Sequence, residues 1–144
     1  MNRDEIKQMI PHREPMLLVD ETVLDGEYAH SVYHVKGDEF FLQGHFPGYP
    51  VVPGVILCEI MAQSSCILVK DYLAGKTPMY TGIEKARFKS SGRPGDKLDI
   101  TAKVIMHRGP LFMIDAKAKV GDRLCCEGTL SFLLVPNEHL NESK

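Results

Sequence analysis

A histidine and a glutamate stand fourteen residues apart near the middle of this chain, with a Pro-Gly pair between them. His45 lies in Gly44-His45-Phe46-Pro47. An imidazole titrates near neutral pH and, held neutral, can take a proton from carbon. A loop histidine can equally serve to satisfy nearby carbonyls. Glu59 is the only ionisable side chain between Gly54 and Val69 apart from the cysteines. A carboxyl taken out of water resists ionisation and becomes a proton donor. A structural role is also open to it, bonded to Gln63 one helical turn on. Pro53-Gly54 opens the same helical stretch, where free backbone N–H groups and the helix dipole favour developing negative charge. Base, acid and oxyanion site within fifteen residues make a joint signal stronger than any one of them.

Other residues carry less. His12, in Pro11-His12-Arg13, lines a pocket or caps the first turn, and the sequence leaves both open. His30 and His34 would share a strand face, but four strand residues span about 13 Å, too far for one metal ion. No metal site is expected. The chain has no GxGxxG, P-loop or GxSxG, so nothing supports nucleotide or hydride chemistry. From Glu84 to Lys97, Lys85, Arg87, Lys89, Arg93 and Lys97 face only Glu84 and Asp96. Alternation along a strand would project Lys85, Arg87 and Lys89 together. Such a patch attracts an acidic partner, or is an ordinary solvated edge.

These groups need elements to hold them. Arg3 to Ile10 has helical spacing and Pro11 ends it. Pro15–Leu24 and Glu27–Lys36 read as a hairpin about Asp25-Gly26. Gly44 to Gly54 holds three glycines and three prolines, which block helix and sheet alike. Phe46, Tyr49, Val51 and Val52 among them predict a fixed, buried loop. Val55 to Ala74 predicts one helix, apolar nearly all round and therefore buried, with Gly75 as its stop. Four strands follow: Met79–Lys89, Lys97–Arg108, Leu111–Val120 and Arg123–Val135. The turns between them are too short for parallel crossovers. The pattern is α+β, one antiparallel sheet wrapped round one long central helix. Asn137 to Lys144 is expected to be a loose tail.

The chain's 144 residues form a single domain over 1–144, long enough to bury a core unaided. A net charge of −2 argues against a nucleic-acid binder. No apolar run reaches membrane-span length. The N-terminus is polar and acidic, unlike a secretory signal. Cys58, Cys66, Cys125 and Cys126 form no CxxC pair, so reduced thiols in a cytoplasmic protein are the reading.

Gly44-His45-Phe46-Pro47-Gly48-Tyr49-Pro50-Val51-Val52-Pro53-Gly54, followed by Glu59 and Met61-Ala62-Gln63, resembles the motif GHFPxxPxxPGxxxxEx(M/L)AQ. That motif belongs to the FabZ-type (3R)-hydroxyacyl-[acyl-carrier-protein] dehydratases. Ile10-Pro11-His12-Arg13-Glu14-Pro15-Met16-Leu17-Leu18-Val19-Asp20 is similar to the family's LPHRxPMLLVD, and Phe88-Lys89 through Pro94-Gly95-Asp96 to its FRxPVxPGD. The resemblance implies the hot-dog fold, working as a homodimer or as three dimers in a hexamer. It implies that His45 removes the α-proton, that Glu59 helps the β-hydroxyl leave, and that the Gly54 N–H receives the thioester carbonyl. The substrate would ride on the phosphopantetheine arm of acyl carrier protein, with no cofactor. Phe46, Gln63, Met79 and Tyr80 would line the acyl tunnel. Lys85, Arg87, Lys89 and Arg93 would meet the carrier protein. Glu59 where the FabA type carries Asp favours the FabZ type. A hot-dog thioesterase and a catalytically silent acyl-carrier-binding protein are the alternatives, and the His45–Glu59 pair speaks against both.

Overall fold

The computed structural model describes residues 1–142. The element order is α1 (Arg3–Met9), β1 (Glu21–Asp25), β2 (Tyr28–His34), α2 (Gly54–Ser65), β3 (Lys76–Phe88), β4 (Lys97–Arg108), β5 (Leu111–Val120), β6 (Arg123–Pro136) and α3 (Asn137–Glu142), with 3-10 segments at Phe40–Leu42 and Cys66–Tyr72. All six strands form one sheet in the order β1-β2-β4-β5-β6-β3, antiparallel throughout. The sheet is wrapped on α2, the arrangement expected. Among the described residues no helix is long and apolar enough to cross a membrane.

Strands β4, β5 and β6 follow from period-2 burial and short turns. Leu98, Ile100 and Ala102 of β4 and Phe112, Ile114, Ala116 and Ala118 of β5 point inward, with polar residues between them except at Met113. The β5–β6 turn uses Gly121 at φ 59°, a left-handed conformation that glycine adopts without cost. Register sets Ala102 opposite Ala116 and Ala116 opposite Gly128. This row of small residues lets α2 sit close to the sheet. Leu57, Ile60 and Met61 fill the space above it, all at 2% exposure or less.

Five expectations change. The short link through Pro94-Gly95-Asp96 does not join neighbours: β3 pairs with β6 at the sheet edge while β4 pairs with β2 and β5, the link being tied to Val35 just past the end of β2 by the Gly95 N–H and the Asp96 carbonyl. The single helix from Val55 to Ala74 is instead α2 over Gly54–Ser65, continued by the 3-10 segment Cys66–Tyr72. At the changeover the Ser65 hydroxyl donates to the Met61 carbonyl at 2.7 Å, a back-bond that disturbs the helical ladder. Val69 then leaves helical geometry altogether. Pro15–Leu24 is extended as a strand only from Glu21, because the Leu18 N–H is taken by the Gln63 side chain at 2.8 Å. The Gly44–Gly54 loop buries Val51 and Val52 but leaves Phe46 and Tyr49 about half exposed, at 52% and 53%. Asn137–Glu142 is helical, tied at its start by a Thr77 hydroxyl bond to the Asn137 side chain and by Asn137 N–H to the Gly75 carbonyl. Ser143 and Lys144 lie outside the described residues.

α1 begins with a capping box, Asn2 and Glu5 each bonding the other's backbone N–H. Its Ile6, with Ile10, Leu17 and Val19, packs on Cys66, Val69 and Leu73. That contact brings the 10–18 segment against the flank of α2, where Glu59 projects.

Candidate active site

Glu59 lies in the second turn of α2, with about a fifth of its side chain exposed. One oxygen, Oε2, accepts from the Gln63 amide at 2.8 Å. Gln63 is itself only 2% exposed and fully engaged. Its Oε1 accepts the Leu18 N–H at 2.8 Å and its Nε2 also donates to the Met16 carbonyl at 2.7 Å. This fixes which end of the amide meets Glu59. His12 Nε2 lies 3.4 Å from the same oxygen. His12 therefore lines a pocket and does not cap the first turn. Among the described residues no donor lies on Glu59 Oε1. A cavity of about 50 Å³ opens beside the carboxyl, bounded by His12, Gln63, Pro78, Tyr80 and Phe132. Tyr80 donates its hydroxyl to the Cys58 carbonyl at 2.9 Å, and burial first, then the charges of Glu59 and neighbouring thiols, holds that phenol well above its usual range.

His45 is held by its loop. Its backbone N–H donates to Leu42 at 3.2 Å, and its carbonyl accepts from Val51 N–H at 2.9 Å. Its ring Nδ1 lies 2.9 Å from the Val51 carbonyl. A carbonyl oxygen only accepts, so Nδ1 carries the hydrogen. The other nitrogen, Nε2, is left with its lone pair, the tautomer a general base needs. A cis peptide joins His45 to Phe46, and the two rings stack at 4.1 Å.

Pro53 supplies the residue before α2, and no side chain caps the helix start. The first N–H groups of α2 are thus open to a ligand oxygen. Gly54 has a second reason to be glycine. A Cβ there would lie 2.8 and 2.9 Å from the Phe88 ring.

Glu59, Gln63 and Tyr80 thus meet at one cavity. His45, Phe46 and Met79 do not line it. Met79 is nearly half exposed on β3. The four basic residues also fall apart. A bulge in β3 between Glu84 and Arg87, with Lys85 at φ 55°, breaks the alternation assumed for a regular strand. Lys85 and Arg87 line a broad groove on the outer sheet face, where Lys117, Glu127 and Arg87 fall in one cross-strand row. Lys89 lies beyond the strand end, its N–H on the Cys125 carbonyl. Arg93 instead stacks over Tyr49 and bonds its hydroxyl, facing the His45 loop. Phe132 and Pro78 were not singled out from sequence. The inward positions of β6, Leu130, Phe132 and Leu134, were the available signal for Phe132.

An antiparallel sheet wrapped on one helix is the hot-dog architecture. The FabA-like domain model matches residues 10–129. In solved structures, the dehydratase heterocomplex ApeI:P of Xenorhabdus doucetiae superposes with a TM-score of 0.80 at 18% identity, over 95% of each chain. The fluoroacetyl-CoA thioesterase FlK superposes at 0.71 with 16% identity, over 85% of this chain and 96% of that one. The fold is therefore shared by a dehydratase and a thioesterase and does not by itself decide between them. The 3-hydroxyacyl-[acyl-carrier-protein] dehydratase FabZ of Macrococcus caseolyticus is 43% identical over 136 residues, 92% of this chain and 94% of that protein. The chain belongs to the FabZ family of dehydratases.

Proposed function

We propose that this protein dehydrates (3R)-3-hydroxyacyl groups on acyl carrier protein to trans-2-enoyl groups, in cytoplasmic bacterial fatty acid synthesis. The observation that carries the reading is the pair of preset protonation roles: a lone pair on His45 Nε2 and a carboxyl whose Oε1 is left open beside a cavity. His45 Nε2 takes the α-proton. The Gly54 N–H receives the negative charge that builds on the thioester oxygen. The β-carbon–oxygen bond then breaks, and Glu59 gives the departing hydroxyl its proton. One water and one double bond result.

The two groups act together across a two-fold homodimer, His45 of one subunit facing Glu59 of the other. Supporting this, β3 is an edge strand that exposes Met79, Ile83 and Phe88, and an apolar unpaired edge invites pairing with a second copy. Phe46 and Met79, outside the Glu59 cavity of one chain, would then join the tunnel from the partner. Each two-fold pair holds two whole sites, so three dimers joined in a hexamer would add no group that a single dimer lacks. Lys85, Arg87, Lys89 and Arg93 offer positive charge to the acidic carrier protein.

The test is direct. A 3-hydroxybutyryl or crotonyl thioester should interconvert, followed by the conjugated enoyl absorbance. His45→Ala and Glu59→Gln should each lose at least ~10²-fold. Inactive His45→Ala and Glu59→Ala proteins, mixed and allowed to exchange subunits, should recover about a quarter of wild-type activity, because half the dimers are mixed and each has one intact site. Full activity in either single variant would remove the assignment. No recovery despite proven exchange would place each site within one chain.

A further inference from the structure

The dehydratase reading gives Glu59 a proton to deliver, but says nothing about which oxygen carries it or what steadies the carboxylate left behind. Both oxygens can be accounted for. Gln63 cannot turn round, since its Oε1 holds the Leu18 N–H, so it presents only N–H to Glu59 Oε2. That oxygen must accept. His12 Nε2 stands 3.4 Å from it. The opposite ring atom, His12 Nδ1, is buried and has no hydrogen-bond partner. A hydrogen on Nε2 lies on the Glu59 side, across a 3.4 Å contact that is not yet a formed hydrogen bond, and leaves only a lone pair buried at Nδ1. The other tautomer would bury an N–H with no acceptor and set lone pairs against each other at Nε2 and Oε2, which is the costlier choice.

We infer that His12 is a positioning residue for Glu59, the second donor to Oε2. The inference rests on the dehydratase reading. With Gln63 and His12 both on Oε2, the acidic proton sits on Oε1, the oxygen without a protein donor. When that proton leaves with the substrate hydroxyl, negative charge grows on the carboxylate and the long His12 contact can shorten to a charge-assisted hydrogen bond. His12 therefore acts on the step and not on the binding of substrate. Its place is secured by the packing of α1 and the 10–18 segment, and by Arg13, whose guanidinium donates to the carbonyls of Ile10, His12 and Lys7.

The experiment compares His12→Phe, which keeps a ring without a donor, with His12→Gln, whose amide nitrogen can reach the place of Nε2. Both are made in wild type and in Glu59→Gln, using a small 3-hydroxyacyl thioester, with melting curves on every variant. His12→Phe should lower kcat about ten- to a hundredfold with KM little changed, the loss of one donor to a charged group. His12→Gln should stay within a few-fold of wild type. In the Glu59→Gln background His12→Phe should have no further effect on residual activity, because a residue acting through Glu59 has nothing left to act on. If His12→Phe does not fold, His12→Asn, polar but too short to reach Glu59, takes its place. An unchanged kcat, or an equal loss with and without the Glu59 carboxyl, overturns the inference. A wild type that dehydrates no 3-hydroxyacyl thioester overturns the functional reading instead, so the two failures are distinguishable.

Discussion

Replacing Gln63 by methionine should destabilise the fold as well as the site. The two side chains have similar volume, so no sizeable cavity opens and the effect is polar. Gln63 makes three hydrogen bonds at 2.7–2.8 Å: from Leu18 N–H, to the Met16 carbonyl and to Glu59. The Leu18 amide is the costly one. Leu18 is 1% exposed, and water cannot easily replace the lost acceptor. A buried unsatisfied donor costs about 1–3 kcal/mol. Met16 is 39% exposed, so water can take over its carbonyl, and only the net value of that bond is lost, about 1 kcal/mol. The sum is roughly 2–4 kcal/mol, or a fall in Tm of roughly 5–15 °C for a chain of this size. Guanidinium unfolding should show a lower midpoint with an unchanged slope. Gln63→Glu sharpens the test. It keeps an acceptor for Leu18 but turns an oxygen toward the Met16 carbonyl and Glu59 Oε2. Its deficit should be larger at neutral pH and narrow as acid protonates the new carboxyl and restores a donor. A Gln63→Met protein within ~0.5 kcal/mol of wild type would refute the argument that this amide ties the 16–18 segment to α2.

Three further outcomes are expected. Asp20 is partly buried, which opposes ionisation, yet the His34 N–H and Arg3 guanidinium hold its pKa below the ordinary 3.8. A depressed carboxyl pKa contributes stability that is present above 3.8 and lost as pH falls through the folded value, so Asp20→Asn should be less stable than wild type at pH 7 and converge with it in denaturant melts as pH falls below 3.8. Gly54→Ala must displace the Phe88 ring, which is half exposed and can move; kcat/KM should fall ~10-fold or more while Tm changes little, and a normal kcat/KM would show that close approach at the helix start is not needed. Arg87→Glu should raise KM for carrier-linked substrate more than for a small thioester, with the difference shrinking in salt, and equal effects on both would make Arg87 structural.

The antiparallel strands were legible because their signals are local. Lys97–Arg108 and Leu111–Val120 coincide with the observed strands, since period-2 burial and a Gly-Pro turn are written in consecutive residues. The chemistry of His45, Gly54 and Glu59 was legible for a related reason: a rare residue type in an apolar stretch is visible without coordinates. Where expectation failed, a distant partner had intervened. Leu18 left the strand pattern because Gln63, forty-five residues on, took its N–H. The end of the central helix tightened because a Ser65 side chain competed with the backbone. The bulge at Lys85 scattered a basic row that regular alternation would have aligned.

Residue types and spacing thus determined the layers, the β4-β5-β6 meander and the groups able to hold or move a proton, but not the place of β3, which leaves β4 for the far edge beside β6. Tertiary structure alone decided how those groups are aimed. The hydrogen on His45 Nδ1 depends on the Val51 carbonyl folding back to it, and the engaged oxygen of Glu59 depends on the distant Leu18 N–H orienting the neighbouring Gln63 and on His12 arriving from the N-terminal segment. Direction in a hydrogen bond is a property of two atoms in space, so no single stretch of sequence carries it.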